Sequence, residues 1–338
     1  MRKYITSLCF ALLSANLIAT PNFQFKKHHI AIDSDNDSFM AMNEDKDYTF
    51  SLGVNYSHLE PLVSLQPIHT LLGVFNTFLL SDQIAPFASN YGFGLYGFTP
   101  KIKSIPNTWI AERPYASLNY FSFSNFYLSE SNNRAVKSSI SVGVLGLDLV
   151  RNIQNAYHEK VGFNALKGWM IQISDGGEPT AKYSLEWQHR IAGINNHLDI
   201  MQSVETSVGY ITEVNHSAYL RVGIFSSPWW SYQPTTKNYG EKTLTLSPKA
   251  FDTYLSLGVV NRLRLYNSFL QGQFSEKDHA ATTSEAKPYI ASLWIGLTAA
   301  FKTGFRISYH ANYQTSELNT GRANRAMSWG SFVFSQSF

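Results

Sequence analysis

Cysteine is almost missing: the 338 residues contain one, Cys9. That excludes a disulfide-stapled secreted domain. Charge is scarce as well. Only 15% of residues are charged, the formal balance is +3, and the lysines and arginines are dispersed. Without a basic tract, nucleic-acid binding has no support. Long apolar runs are also lacking. Past the N-terminus, no segment reaches the roughly 18 uncharged apolar residues of a membrane-crossing helix.

The N-terminal residues 1–20 read as a secretory signal peptide, too short to span a membrane. Arg2 and Lys3 precede a mostly apolar stretch from Tyr4 to Ile18, and Ala15, Ala19 and Thr20 offer cleavage points. Cys9 lies inside this segment, so the expected mature chain, 21–338, has no thiol. Leu8 stands where a lipoprotein signal needs a small residue, which argues against a lipid anchor. Aromatics are abundant at 14%. Rich aromatics with little charge suit a β-barrel with an aromatic belt and a lipid-facing wall. A large soluble β-sandwich fits the composition equally well, so the patterning decides.

The patterning is period two, the strand signal. Over 218–225, Ala218, Leu220, Val222 and Ile224 share one face, and Tyr219, Arg221 and Gly223 the other. Over 289–301, alternate residues from Tyr289 to Phe301 are apolar, with small residues and Trp294 opposite. Over 48–58, Tyr48, Phe50, Leu52, Val54 and Tyr56 oppose Thr49, Ser51, Gly53, Asn55 and Ser57. One apolar and one small or polar face, without helical partners, fits lipid outside and a polar lumen inside. Strands are expected at 28–36, 48–59, 88–98, 114–128, 134–147, 182–194, 198–211, 214–227, 250–267, 288–301, 303–316 and 327–338. A turn at Asn261 would add a thirteenth strand, but an even count leaves both ends in the periplasm and is preferred. The final strand alternates and ends in Phe338, which resembles the C-terminal signature of bacterial outer-membrane barrels. The expected fold is therefore an all-β, transmembrane antiparallel barrel of about twelve strands. The chain contains no internal repeat and no sign of a second domain.

Strand parity then places the connections. If strand 1 leaves the periplasm, the extracellular connections are 37–47, 99–113, 148–181, 212–213, 268–287 and 317–326. Two segments read as helical. One, 148–163, is extracellular; the other, the apolar 61–80, is periplasmic and reads either as an interfacial helix or as a sign that strands 2 and 3 are bounded differently there. Two polar groups fall on the outer side. Ile30 and Ile32 face lipid, so Asp33, Asp35 and Asp37 are expected inward, with Asn36 at the bend and Thr49 inward on strand 2. Oxygen-rich side chains of this kind suit Ca²⁺, although Asp/Asn turn chemistry also explains a polar hairpin. Gln154 and His158 are i, i+4 neighbours on the outer helix, with Arg151 on the same stripe. That helix is expected over the barrel mouth, facing the Asp/Asn rim.

Five blocks in order resemble the lipid A 3′-O-deacylase family of the outer membrane, the LpxR type. They are Asn36-Asp37, Asp45-Lys46-Asp47-Tyr48-Thr49, Glu112-Arg113-Pro114-Tyr115-Ala116, Gly146 with Gln154-Asn155-x-x-His158 and Gly168-Trp169-x-x-Gln172, and Thr315-Ser316-Glu317 with Gly321. The resemblance spans most of the mature chain and implies a twelve-stranded barrel whose extracellular helix holds the catalytic histidine. His158 matches the general base that activates water, Asn36 and Asp37 match the calcium-site pair, and Thr49 and Gln154 match active-site neighbours. The implied reaction is hydrolysis of the ester holding the 3′-linked acyl or acyloxyacyl chain on lipid A. Ca²⁺ would polarise the carbonyl, and no serine or cysteine nucleophile is needed. Histidine suits the role because its ordinary pKa leaves it partly neutral at physiological pH. Some relatives have Glu six residues after the histidine; here Asn164 stands there, an amide ligand without negative charge. Lys101 and Lys103 are the nearest candidates for a family lysine that would contact a lipid A phosphate. The expected partners are lipid A within lipopolysaccharide and outer-membrane lipid, with a single chain sufficing.

Two other readings remain open from the sequence. One is a porin or adhesin without catalysis. The other is an outer-membrane phospholipase with a Ser-His pair, for which His216-Ser217 is the candidate, on strand 8 and away from the cluster.

Overall fold

The alternating segments form strands, and the strands close on themselves. A computed structural model describes residues 28–40, 47–58, 65–77, 84–101, 112–129, 133–160, 162, 164–231, 251–275 and 280–338. The expected signal peptide, 1–20, and Lys103 lie outside them. The strands are β1 (His28–Asn36), β2 (Asp47–His58), β3 (Ile84–Thr99), β4 (Ala116–Ser129), β5 (Arg134–Leu145) and β6 (Glu178–Ile194). They continue as β7 (Leu198–Gly209), β8 (Ile211–Ile224), β9 (Asp252–Asn267), β10 (Tyr289–Ala300), β11 (Phe305–Gln314) and β12 (Met327–Ser337). Each pairs with its sequence neighbours, and β1 pairs antiparallel with β12, closing the barrel. Closure leaves no strand edge and so satisfies the backbone within lipid.

Twelve strands is the expected number, because Asp252–Asn267 is one unbroken strand without a turn at Asn261. Several boundaries move. β3 begins at Ile84 rather than 88, β6 begins at Glu178 rather than 182, and Tyr210 alone joins β7 to β8 where 212–213 was expected. The wall shows the two faces that alternation predicts. Ile30, Ile32, Leu52, Val54, Phe93, Phe121, Leu257 and Leu293 are exposed outside, while Asp33, Asp35, Ser51, Asn55 and Arg221 are buried inside. This is an apolar band around a polar interior.

Among the described residues, three α-helices accompany the strands: α1 (Gln66–Thr77), α2 (Asp148–Lys160) and α3 (Ser268–Gln271). α1 lies at the end of the barrel where the chain termini meet. Its His69 bonds Asn125 through Nδ1 and the Tyr91 hydroxyl through Nε2 at 2.7 Å. Asn125 and Tyr91 alternate with Phe121 and Phe93, so they belong to the outer face. α1 therefore packs against the outside of the wall, as an interfacial helix would.

Among the described residues, charged and aromatic clusters enter the interior. Glu317 pairs with Arg113 at 2.5 Å and with Arg264, which also holds Glu213 at 2.7 Å. Phe269 of α3 packs on Tyr96, Phe98 and Tyr210 at the opposite end, the one with the longer site-bearing loops. Trp229 and Trp230, from the β8–β9 connection, cluster with Phe126, Tyr254 and Trp294 nearer the termini.

Candidate active site

The β5–β6 connection builds one side of the site. It opens at Gly146, whose φ of 73° is left-handed and whose N–H donates to the Ser117 carbonyl at 2.9 Å. A Cβ at this position would sit 1.9 Å from the Ser174 carbonyl oxygen, so only glycine fits. α2 follows, with Asp148 in its first turn and Lys160 in its last, signs that suit the helix dipole. Val150, Gln154 and His158 are buried at i, i+4 and i+8. Leu149, Ile153 and Tyr157 form a second stripe, and that stripe is exposed. A 3-10 turn, Lys167–Ile171, then brings Trp169 back beneath the helix.

The outer wall is the other side. Asn36, Phe50, Gly97 and Ser117 lie in register across β1–β4 on the lipid-facing side. Gly97 lets α2 approach: a Cβ there would meet Phe50 Cε1 at 2.7 Å and Val150 Cγ1 at 3.1 Å. Leu95, Tyr115, Val150 and Trp169 form one buried cluster, with Phe50 and Leu166 packed against it. Ser117 Oγ donates to Gln172 Oε1 at 2.8 Å, and Gln172 Nε2 donates to the Gly146 carbonyl at 3.1 Å. α2 is therefore fastened to the outside of the barrel. The expectation of a helix over the mouth is corrected: the mouth is occupied by Phe269, and the apolar face of α2 matches the apolar wall.

Thr49 also differs from its expected inward position. A β-bulge between Tyr48 and Phe50 breaks the alternation. Tyr48 turns into the lumen, where its hydroxyl donates to Asp35 Oδ2 at 2.8 Å. Thr49 Oγ1 lies 2.6 Å from Thr99 Oγ1. Thr99 continues the outward row two residues beyond Gly97. Thr99 has no sequence signal beyond its parity on β3. Asp33 and Asp35 do face inward, and Asn55 Nδ2 donates to Asp33 at 3.1 Å.

Asn36 is the last residue of β1, and its row faces outward. Its Oδ1 accepts from the Ser38 N–H at 2.7 Å and caps a 3-10 turn, Asp37–Phe39. Because the chain leaves the strand at this turn, alternation does not assign Asp37 to the lumen; its side chain is buried within the turn region. His158 Nδ1 lies 3.3 Å from the Asn164 carbonyl oxygen. A carbonyl only accepts, so Nδ1 carries the proton and Nε2 is the basic nitrogen. Gln154 Oε1 accepts from Trp169 Nε1 at 2.8 Å, and its buried Nε2 has no hydrogen-bond partner. Asn164 and Lys101 are exposed.

Among the described residues, no three His, Cys, Asp or Glu side chains cluster to hold a metal. The donors at the Asn36-Asp37 turn are one carboxylate, amide oxygen and backbone oxygens, an oxygen-only set suited to a hard cation that keeps water. His216 and Ser217 occupy β8 on opposite faces, exposed and buried respectively, so they cannot form a Ser-His pair.

A closed antiparallel barrel, apolar outside and polar inside, with a loop helix packed along a seam on its outer wall, defines an outer-membrane protein. The model of the family described as outer membrane protein LpxR matches residues 5–338. The chain belongs to the LpxR family. The solved LpxR from Salmonella typhimurium is 17% identical, with a TM-score of 0.72, covering 92% of this chain and 100% of that one. The β domain of the Bordetella autotransporter Brka is 10% identical, with a TM-score of 0.42, covering 92% and 99%. No curated protein matches.

Proposed function

We propose that this protein hydrolyses the ester that joins the 3′-linked acyl or acyloxyacyl chain to lipid A. The observation that supports this most is the buried Gln154–His158 stripe, whose two side chains are each oriented by a second group. Asn164 directs His158 Nδ1, and Trp169 directs Gln154. In this reading His158 Nε2 removes a proton from water. The hydroxide adds to the ester carbonyl, the tetrahedral intermediate collapses, and the sugar 3′-oxygen leaves with a proton returned by His158. The Gln154 Nε2 donor is buried without a partner, and in this reading it would donate to the ester oxygen as that oxygen gains charge. Thr49 and Thr99 line the wall on the approach to it.

Calcium belongs to this proposal. Asp37 and Asn36 would hold it, with Asn164 as an additional oxygen donor. When bound, Ca²⁺ would supply a Lewis acid for the ester carbonyl. The loop end then faces outward, towards the leaflet that holds lipopolysaccharide. There Lys101 and Lys103 would meet a phosphate. A barrel that works on membrane lipid at its own wall has no need of a second subunit.

His158→Ala is expected to abolish 3′-chain release, read from the lipid A mass spectrum of cells expressing each form, while the barrel still migrates as a folded, heat-modifiable band. Unchanged deacylation in that variant would sink the mechanism. Excess EGTA is expected to stop hydrolysis by the purified enzyme, and added Ca²⁺ to restore it. Full activity in EGTA would remove calcium from the proposal.

A further inference from the structure

We infer that Arg325 is a positioning residue that sets the geometry of the Thr49 wall from across the loop end of the barrel; this rests on the proposed deacylase reading. Arg325 stands in the β11–β12 connection. Its Nε donates to Asp47 Oδ2 at 2.8 Å and its Nη2 to Asp47 Oδ1 at 2.7 Å, a two-pronged pair. The same Nη2 lies 2.6 Å from Glu112 Oε1, and Nη1 donates to the Arg322 carbonyl at 2.5 Å. One guanidinium thus joins the first residue of β2, the β3–β4 connection and the β11–β12 connection. All three of its nitrogens are engaged, and its side chain is only 15% exposed. A phosphate-binding arginine would keep donors turned to solvent, so this one holds protein rather than ligand.

What it holds is strained. Asp47 has φ of 64°, in the left-handed region that costs a non-glycine residue energy. Asp47 opens β2, opposite Thr99 in register, and the bulge follows at once. Thr49 is two residues on, bonded to Thr99. The path is therefore short: Arg325 fixes Asp47, Asp47 in its strained conformation starts the bulge, and the bulge sets Thr49 beside Thr99 on the outer wall. Burial alone would lower the Arg325 pKa, but the Glu112 and Asp47 carboxylates hold it above its ordinary value, while burial pushes the Asp47 carboxyl above its own ordinary value.

The experiment measures kcat and KM for 3′-chain release from purified lipid A in mixed micelles. It compares the intact enzyme with Arg325→Ala, Arg325→Lys, Asp47→Gly and the Arg325→Ala/Asp47→Gly pair, each checked for heat-modifiable migration. Arg325→Ala is expected to lower kcat roughly tenfold or more with KM within about twofold, since the substrate still binds a misplaced wall. Arg325→Lys recovers part of that loss, because a lysine keeps the charge but not the fork. Glycine adopts the Asp47 conformation without strain, so adding Arg325→Ala to Asp47→Gly changes kcat by no more than about twofold. A folded Arg325→Ala enzyme with intact kcat overturns the inference, as do losses that multiply in the double variant. If Arg325→Ala does not fold, Arg325→Lys decides: wild-type kcat there overturns it. Failure of the deacylase reading looks different, because the intact enzyme itself would then release no 3′ chain.

Discussion

Gly97 governs how closely α2 meets the wall. Phe50 and Val150 fill the space where its side chain would be, and Val150 is the first residue of the stripe that continues to Gln154 and His158. A leucine at 97 has to push one of them away, and the helix is the partner not fixed by a strand ladder. Gly97→Leu is therefore expected to leave the barrel folded and to cut the deacylation rate roughly a hundredfold, the scale of a 1 Å misplacement of catalytic groups. Rates on purified lipid A, with heat-modifiable migration as the folding control, decide it; a folded variant at full rate shows that the seam does not need this close approach. The residue types of the proposed site come from the sequence. Gln154, His158, Asn36 and Asp37 stand out by spacing and by resemblance to a family. The facing of Thr49 was not legible there, because a bulge leaves no mark: Tyr48-Thr49-Phe50 reads as uninterrupted alternation. Only the pairing of Tyr48 with Phe98 and of Phe50 with Gly97 reveals the extra residue.

At the scale of elements, the site is a helix and a wall joined by few bonds. The exposed Arg151–Asp148 pair, 2.5 Å apart, adds little, since ion pairs in solvent are worth at most about 1 kcal/mol. The Trp169–Gln154 bond matters more, because both partners are buried. Trp169→Phe keeps most of the ring and removes the N–H. Gln154 Oε1 is then a buried acceptor without a donor, at a cost of about 1–3 kcal/mol. The expected outcome is faster proteolysis within 146–177 and slower deacylation, with the barrel's own thermal transition unmoved. Unaltered proteolysis and rate would show that Trp169 does not orient Gln154. The strands were legible because each has a lipid face and a lumen face, and period two records both. The docking of α2 was not. Its two apolar stripes, Val150 and Leu149 with Ile153, look alike in sequence, and only the fold tells which one is covered.

At the scale of the whole molecule, the described residues place an aromatic cluster towards each end of the lumen and a charged network at the loop end. Phe269 fills the loop end among Tyr96, Phe98 and Tyr210, and Trp229 with Trp230 fills the other among Phe126, Tyr254 and Trp294. Beside Phe269 at the loop end, Arg113, Arg264, Glu213 and Glu317 are matched in a buried network. Removing one member of such a network strands a charge at about 3–5 kcal/mol, so the network resists opening. A pore needs a continuous path of water, and among the described residues aromatic clusters stand towards both ends of that path. The porin alternative and the deacylase reading therefore separate in a planar bilayer. The intact protein is expected to show no steady conductance. Trp229→Ala with Trp230→Ala and Phe269→Ala removes three aromatic plugs and is expected to give flickering, small openings through the remaining polar interior, while 3′-chain release persists because the seam lies outside the wall. A large, stable conductance from the intact protein would mean that the plugs leave in the membrane, and would return the porin reading to consideration. Loss of deacylation in the plug variant, with α2 still protected from protease, would mean that the lumen takes part in the chemistry.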